Sequence, residues 1–313
     1  MGEFSGIVVE VNQLTDRISS LTIAGANGVA LPRWDAGAHV EFDVTDGSRA
    51  YSLVSFDPVP NAPMTYQIAV QREEGGQGGS KTMHALTVGS VVSFGSPKND
   101  FTVKADAPAM FLAGGIGVTP LISMAAAMNA EGQEFAFHYT GRRADLMAYR
   151  AALLEQWGDA FHLHCDDSET TLDLDALIAS VGDAHLYVCG PRGLLDAVRA
   201  KAEVADIPAE RVHFELFKAA SAQIDDRAFE VQINDGSVFT IPPNKSIIDV
   251  LEENDVDVMN DCQRGDCGIC QCDVLEGTPD HRDVVLSDAE RDAGDVIQIC
   301  VSRAKSARLV LNI

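Results

Sequence analysis

The 313-residue chain predicts a multidomain protein of mixed β and α/β class, built in three parts. Three observations carry this. The first hundred residues hold β-type runs divided by Gly, Pro, Asn and Asp clusters. Strand-like and helix-like runs then alternate. A last, smaller segment holds five of the seven cysteines, between Cys262 and Cys300.

In the first part the runs are GIVVEVNQL, ISSLTIAG, HVEFDV, RAYSLVSF, MTYQIAVQ and SVVSFGSP. Short spacing and turn residues between them predict an antiparallel barrel or sandwich over residues 1–104. One helix is expected around Lys81 to Leu86, after the GGQGGS turn.

The pattern changes after KADAPA. AMFLAGG, EFAFHYT, AFHLHC, HLYVCG and VHFELF read as short buried strands, each separated from the next by a helical run. This is the signature of a doubly wound parallel α/β sheet over residues 105–218. Met124 and Met128, at helical spacing, read as core packing. Residues 219–227, within the small and polar run KAASAQIDDR, read as a linker.

Residues 228–313 form the third part. FEVQINDGSVFTIPP predicts a hairpin about Asn-Asp-Gly, and SIIDVLEEND a helix. QICVSRA and ARLVLNI are expected to close the sheet. Ser287 and Glu290 have the spacing of a capping box on a short helix.

Composition narrows the function. Apolar residues make up 46% and charged residues 22%, as in an ordinary globular protein. The net charge of −24 argues against nucleic acid and anionic membrane as partners. From Asp225 to Ile313 there are 19 acidic and 8 basic residues, a balance of −11. That excess serves either solubility or docking of a basic partner. No apolar run is long enough to span a bilayer, and MGEFSGIVVEVNQ lacks the features of a signal peptide. A cytoplasmic location is expected, where clustered cysteines point to metal rather than disulfides.

DCQRGDCGICQC sets Cys262, Cys267 and Cys270 in C-x4-C-x2-C spacing, with 29 residues separating Cys270 from Cys300. This is the spacing of a plant-type [2Fe–2S] site, a loop wrapped on one side and a last ligand from a remote strand. A structural zinc site is the alternative, although zinc favours paired knuckles and suits a lone distant Cys300 poorly. Gly265 and Gly268 would let backbone N–H groups approach the sulfurs. Cys272 falls outside the spacing and reads as a buried strand residue.

LAGGIGVTPLISM places a glycine turn between a buried strand and a helix. Gly115 would let a pyrophosphate approach the backbone, Thr119 would cap the helix and Pro120 would sit in its first turn. The other reading of these glycines is tight strand–helix packing alone. Cys189, Gly190 and Pro191 form a second sharp turn at the same carboxyl edge, where open α/β sheets bind ligands. Asp166 or Asp167, after the third strand, could accept from a ribose hydroxyl and favour NADH. Arg142 and Arg143 argue for a 2′-phosphate instead. Cys189 could equally be a buried strand-end residue. His84, His138, His162 and His164 show no metal spacing, and His281 reads as a loop residue.

RAYSL, GGSK, GGIGVTP, CGP, HFELF and the cysteine set, in this order, resemble the phthalate dioxygenase reductase family over essentially the whole chain. The resemblance implies a flavin-binding β-barrel, an NAD domain and a C-terminal ferredoxin domain of β-grasp fold. It implies FMN, NADH and one [2Fe–2S] cluster, and a terminal Rieske-type oxygenase as partner. A monomer is expected because no extra interface element is visible in the sequence. Arg49, Ala50, Tyr51 and Ser52 would hold the flavin, Ala69, Val70 and Gln71 line its ring, and Gly78, Gly79 and Ser80 take its phosphate. Thr119 and Phe217 would lie at the flavin–nicotinamide junction, and Gly115, Cys189, Gly190 and Pro191 would border the NAD. Ser52, Thr119 and Cys189 are the residues expected nearest the hydride transfer. Gln77 stands where the family commonly has a basic residue, and Gln263 where it commonly has an acidic one. A diiron hydroxylase as acceptor, and an electron carrier without NADH chemistry, are the alternatives.

Overall fold

The computed structural model describes residues 2–45, 47–75, 78–104, 106–217 and 225–313. The chain divides into two compact units, Met1–Glu215 and Leu216–Ile313.

In the first unit β1 (Phe4–Thr15), β2 (Ile18–Gly25), β3 (His39–Val44), β4 (Gly47–Ser52), β5 (Thr65–Gln71) and β6 (Val91–Phe94) form one antiparallel sheet, ordered β4-β3-β6-β1-β2-β5. Its two edges meet. Leu53 bridges Ile68, and the Val54 N–H donates to Gln67 O at 2.8 Å, which closes a barrel. Alternation turns Leu21, Ile23, Val40, Phe42, Ile68 and Phe94 inward as its core. Helix α1 (Gly79–His84) starts earlier than Lys81, because Gly78 takes the left-handed φ of 95° that turns the chain into it.

The second sheet of this unit contains β7 (Ala109–Gly114), β8 (Phe135–Gly141), β9 (Phe161–Cys165), β10 (His185–Cys189) and β11 (Val212–Glu215). Its order is β11-β10-β7-β8-β9 and every pair is parallel. Helices α2 (Val118–Ala130), α3 (Arg150–Trp157), α4 (Leu174–Ala179) and α5 (Arg192–Val204) make the crossovers. All of β7 is buried, as befits a central strand covered on both faces. Met124 and Met128 lie in the core beside it. One expectation fails: Thr119 does not cap α2. A 3-10 turn, Gly115–Gly117, runs straight into the helix and leaves Gly117 at the cap. Thr119 sits inside the first turn, where its Oγ1 donates to Ile116 O at 3.0 Å.

The second unit contains β12 (Phe229–Gln232), β13 (Val238–Ile241), β14 (Gln271–Glu276), β15 (Pro279–Asp280), β16 (Val296–Gln298), β17 (Arg303–Ala304) and β18 (Arg308–Leu311). The main sheet runs β13-β12-β18-β14-β16, with β12 and β18 parallel. Helix α6 (Ile247–Glu252) buries Ile247, Ile248, Val250 and Leu251 in the core. The Asn-Asp-Gly hairpin forms, with Gly236 at a φ of 86°. Ser287 and Glu290 make the expected capping box on α7 (Asp288–Ala293).

QICVSRA is not one strand. β16 ends at Gln298, a turn carries Cys300, and β17 pairs with β15 as a separate ribbon. Cys300 therefore comes from a turn rather than a strand. Of the expected linker, 219–224 lies outside the described residues, as does Gln77. The side chain of Asp226 at its far end is buried, and Arg282 grips it with hydrogen bonds of 2.9 and 2.5 Å.

Candidate functional site

The barrel seam gathers one set of the expected residues. Across the Leu53–Ile68 bridge, antiparallel register sets Ser52 opposite Ala69. Ala69, Val70 and Gln71 are held from behind by pairing with Ser20, Ser19 and Ile18 on β2. Ser52 is 5% exposed, and its buried Oγ has no hydrogen-bond partner. A buried hydroxyl left unpaired costs about 1–3 kcal/mol, so this orphan marks a place where a bound polar group fits.

The start of α1 joins the seam. A Cβ at Gly79 would lie 2.7 Å from Cγ of Arg49, so the arginine stem lies across that glycine. The His84 ring, Nε2 to Val70 O at 2.8 Å, ties α1 to β5. Ser80 Oγ accepts from the Glu73 N–H at 3.0 Å and shapes the loop before the helix. Burial pushes the Tyr51 phenol up to about 12 against the opposing pull of Arg49, so it remains a donor. Ala50 points outward. Cation, phenol, partnerless hydroxyl and glycine turn thus share one seam, which suits a flavin and its phosphate.

At the carboxyl edge of the parallel sheet the two sharp turns touch. A Cβ at Gly117 would lie 2.2 Å from Cys189 O, and one at Gly114 would lie 2.7 Å from Pro191 Cδ. These two glycines are required by packing. Gly115 is different, with a φ of 56° and open space where its Cβ would be. Packing therefore accounts for Gly114 and Gly117, while Gly115 has free space beside its backbone. Ile116 packs with Ile18, Ala69, Ala148 and Tyr149, which sets the turn against β5 of the seam.

The other expected residues lie as follows. Thr119 is buried, and Cys189 is fully enclosed with its Sγ 3.9 Å from Oε2 of the buried Glu215. Gly190 is half-buried and Pro191 exposed at the head of α5. Asp166 is exposed beyond β9, and its N–H donates to Gly141 O at 3.0 Å. Arg143 makes a two-pronged contact with Asp145, at 2.9 and 2.5 Å. Phe217 belongs to the second unit and is 38% exposed.

In the cysteine loop the chain folds back on itself through positive φ at Gln263 (50°), Gly265 (85°) and Gly268 (79°). Glycine is needed at 265 for a reason other than the sulfurs: a Cβ there would meet Val301 Cγ2 at 2.6 Å and Asp283 Cα at 3.1 Å. Cys262 lies within hydrogen-bond reach of Cys267 and Cys300, and Cys300 of Cys270. These shared protons lower the thiols of Cys262 and Cys270 and raise those of Cys267 and Cys300. Among the described residues no group of three His, Cys, Asp or Glu side chains is disposed to hold one ion. The links run in one line, Cys267–Cys262–Cys300–Cys270, so all four sulfurs gather at one place, as the four thiolate ligands of a two-iron cluster must.

The surroundings of the loop were not legible beforehand. The Arg264 N–H donates to Cys262 Sγ at 3.3 Å. Asp266 accepts from the Leu216 N–H at 2.7 Å, and burial pushes its carboxyl up to about 7. Gln298, fully buried, reaches Cys270 Sγ. Ile116 and Tyr149, which join sheet to barrel, also gave no sign, since each reads locally as an ordinary apolar residue. Cys272 is half-buried on β14, with its thiol raised to about 12 by burial, outside the set.

Comparison with known proteins places these features. Residues 231–305 match the family described as a 2Fe-2S iron-sulfur cluster binding domain. Over 306 residues the chain is 37% identical to phthalate dioxygenase reductase of Burkholderia cepacia, covering 95% of this chain and 93% of that one. The solved structure of a phthalate dioxygenase reductase, described as modular for electron transfer from pyridine nucleotides to [2Fe-2S], matches with a TM-score of 0.72 and 34% identity. That match covers 99% of this chain and 98% of the other. Full-length CYP116B46 from Tepidiphilus thermophilus matches with a TM-score of 0.78 and 33% identity over 99% of this chain, which spans only 42% of that protein. The chain belongs to the phthalate dioxygenase reductase family.

Proposed function

We propose that this protein is the NADH-oxidising reductase of an oxygenase system, passing electrons one at a time to a terminal Rieske-type oxygenase. One observation carries the reading. Four thiols gathered at one place stand on the same chain as a partnerless Ser52 hydroxyl at a barrel seam, with an open glycine turn packed against that seam. Bound FMN would supply the step between a two-electron hydride donor and a one-electron cluster.

The chain's own residues orient and insulate these groups. Arg49 and the Gly78–Ser80 turn would neutralise a phosphate, while the backbone of Ala69–Gln71 lines the ring. Ser52 Oγ would donate to the reacting edge of the flavin, which gives its buried hydroxyl the partner it otherwise lacks. Gly115 would admit a pyrophosphate, and Gly190 and Pro191 would border it. Thr119 and Cys189, both enclosed, would form the floor under the nicotinamide. Asp166 would accept from a ribose hydroxyl. Arg143 is already engaged by Asp145, so it has less to offer a 2′-phosphate, which favours NADH.

The proposed division is a barrel domain over 1–104, an NAD domain over 105–218, a linker over 219–227 and a ferredoxin domain over 228–313. The protein is proposed to act as a cytoplasmic monomer. Among the described residues no helix is long and apolar enough to cross a membrane. Two titrations test the function. Anaerobic NADH should bleach the flavin and then generate the spectrum of a reduced [2Fe–2S] cluster. Mixed with a panel of Rieske oxygenases, the protein should sustain NADH-driven turnover that falls as salt rises. A colourless preparation that neither binds flavin nor oxidises NADH would sink the reading.

A further inference from the structure

Gln298 ends β16 two residues before Cys300, and it is 0% exposed. Its amide has a partner at each end. Oε1 lies 3.4 Å from Cys270 Sγ, and Nε2 donates to Gln271 Oε1 at 2.9 Å. Gln271 is its register partner across β14 and β16. In this arrangement the Cys270 thiol donates to the amide oxygen.

That orientation serves a protonated thiol alone. A thiolate ligand has no proton and can only accept. Leaving the amide oxygen against a thiolate would set two acceptors face to face in a buried site. The remedy is local. A half-turn about the last side-chain bond exchanges the amide oxygen and nitrogen, which differ little in shape. Gln271 is exposed and is also an amide, so it can make the same half-turn. The bond between the two side chains survives, with Gln271 now donating to Gln298.

We propose that Gln298 tunes the cluster, with the Gln298–Gln271 amides turning over together so that Gln298 donates an N–H to the Cys270 sulfur. The assignment rests on the thiols holding a [2Fe–2S] cluster. A hydrogen bond to a ligand sulfur favours the electron-richer, reduced state and so raises the reduction potential. Cys262 has a backbone donor in Arg264, which no side-chain replacement removes. Cys270 also takes a backbone hydrogen bond from Cys300, but Gln298 would add a side-chain donor, and that one can be deleted.

The test uses the full-length, cluster-loaded protein and a redox titration followed by EPR. Gln298→Leu keeps the volume and removes the donor. It should shift the reduction equilibrium about tenfold against the reduced form, about 59 mV for one electron, with visible absorption and iron content unchanged. A loaded Gln298→Leu protein with the unmodified potential overturns the proposal. Where that variant loses its cluster, Gln271→Glu decides, since position 271 is exposed. A carboxylate there can only accept, so it holds the Gln298 Nε2 away from Cys270 and should lower the potential. Asp273→Asn, at an exposed position on the same strand, calibrates the effect of one charge. A fall in Gln271→Glu no larger than the rise in Asp273→Asn is charge alone and overturns the proposal. Failure of the unmodified protein to take up any cluster would instead overturn the reading of the thiols.

Discussion

The barrel seam and the cysteine loop are assembled in opposite ways. Three of the loop's four thiols come from one short stretch, Cys262 to Cys270, and the fourth follows β16. Its shape is fixed locally, by positive φ at Gln263, Gly265 and Gly268. The seam draws instead on β4, β5, the start of α1 and the glycine turn after β7, and it exists only once the barrel closes at Leu53–Ile68. A cradle made chiefly by one loop would fail all at once, because each proposed ligand would be indispensable. A cradle gathered from four segments fails by degrees.

The largest effect should come from the loop. Cys300→Ser removes a proposed ligand that no neighbour would replace, since Cys272 sits on β14 outside the thiol set. The [2Fe–2S] absorption and one-electron transfer to cytochrome c should disappear. Flavin binding and NADH-driven reduction of ferricyanide should persist, because the first unit has its own cores. Loss of flavin along with the cluster would break the contrast, showing the two cradles to be one folding unit.

The glycine turn sharpens it further. Gly117→Ala forces a methyl group to 2.2 Å from Cys189 O, a backbone atom that cannot step aside. Overpacking of this kind costs roughly 1–3 kcal/mol, read as a lower urea midpoint for the first unit. Gly115→Ala meets only the strain of its φ of 56°, about 1 kcal/mol, but narrows the approach of a pyrophosphate. The first should chiefly lose stability and the second chiefly raise the KM for NADH. Equal stability in the two variants would show that Gly117 is not packed against β10.

Ser52→Ala should be smaller and purely functional. Its Oγ has no partner in the folded chain, so removal costs no hydrogen bond and the melting temperature should hold or rise. Flavin reduction by NADH in stopped flow should slow roughly tenfold, the worth of one hydrogen bond made in the transition state. An unchanged rate would detach Ser52 from the chemistry and leave its orphan hydroxyl unexplained.

How much could be read in advance follows from the same contrast. The cysteine spacing was legible because its chemistry is contiguous, and the alternating runs because strand burial repeats along the chain. The capping box of Ser287 and Glu290 was legible for the same reason, being four residues long. What escaped was long-range. Gln298 reads as any polar strand residue until β14 is laid beside β16. Asp226 sits in a polar run, and its side chain is buried because Arg282, 56 positions away, and Arg303 enclose it. The misplaced cap at Thr119 shows the limit even at short range. Thr-Pro before an apolar run predicts a fresh helix start, but the 3-10 turn already supplied one.

Acid should separate the two units by the smallest margin. In the first, histidines meet across neighbouring strands: His138 Nδ1 lies 3.0 Å from His164 Nε2, and His185 Nδ1 2.9 Å from His213 Nε2. Burial lowers all four, with His138 and His213 at about 4. Lys104 opposes charge on His213, while Asp106 near His185 partly favours it. An unfolded histidine titrates near 6.5, so below that pH the unfolded chain binds protons that the folded one excludes. The stability these residues contribute is complete above pH 6.5 and is lost as the pH falls toward 4. Discounted for partial exposure, His213 alone accounts for about 1 kcal/mol at pH 5. The second unit has one histidine, His281, also lowered by burial. Calorimetry from pH 7 to 5 should therefore show the first unit's transition falling faster than the second's. His213→Phe, which keeps a ring against Tyr187, should flatten that fall; parallel slopes in the unmodified protein would remove the histidine pairs as its cause.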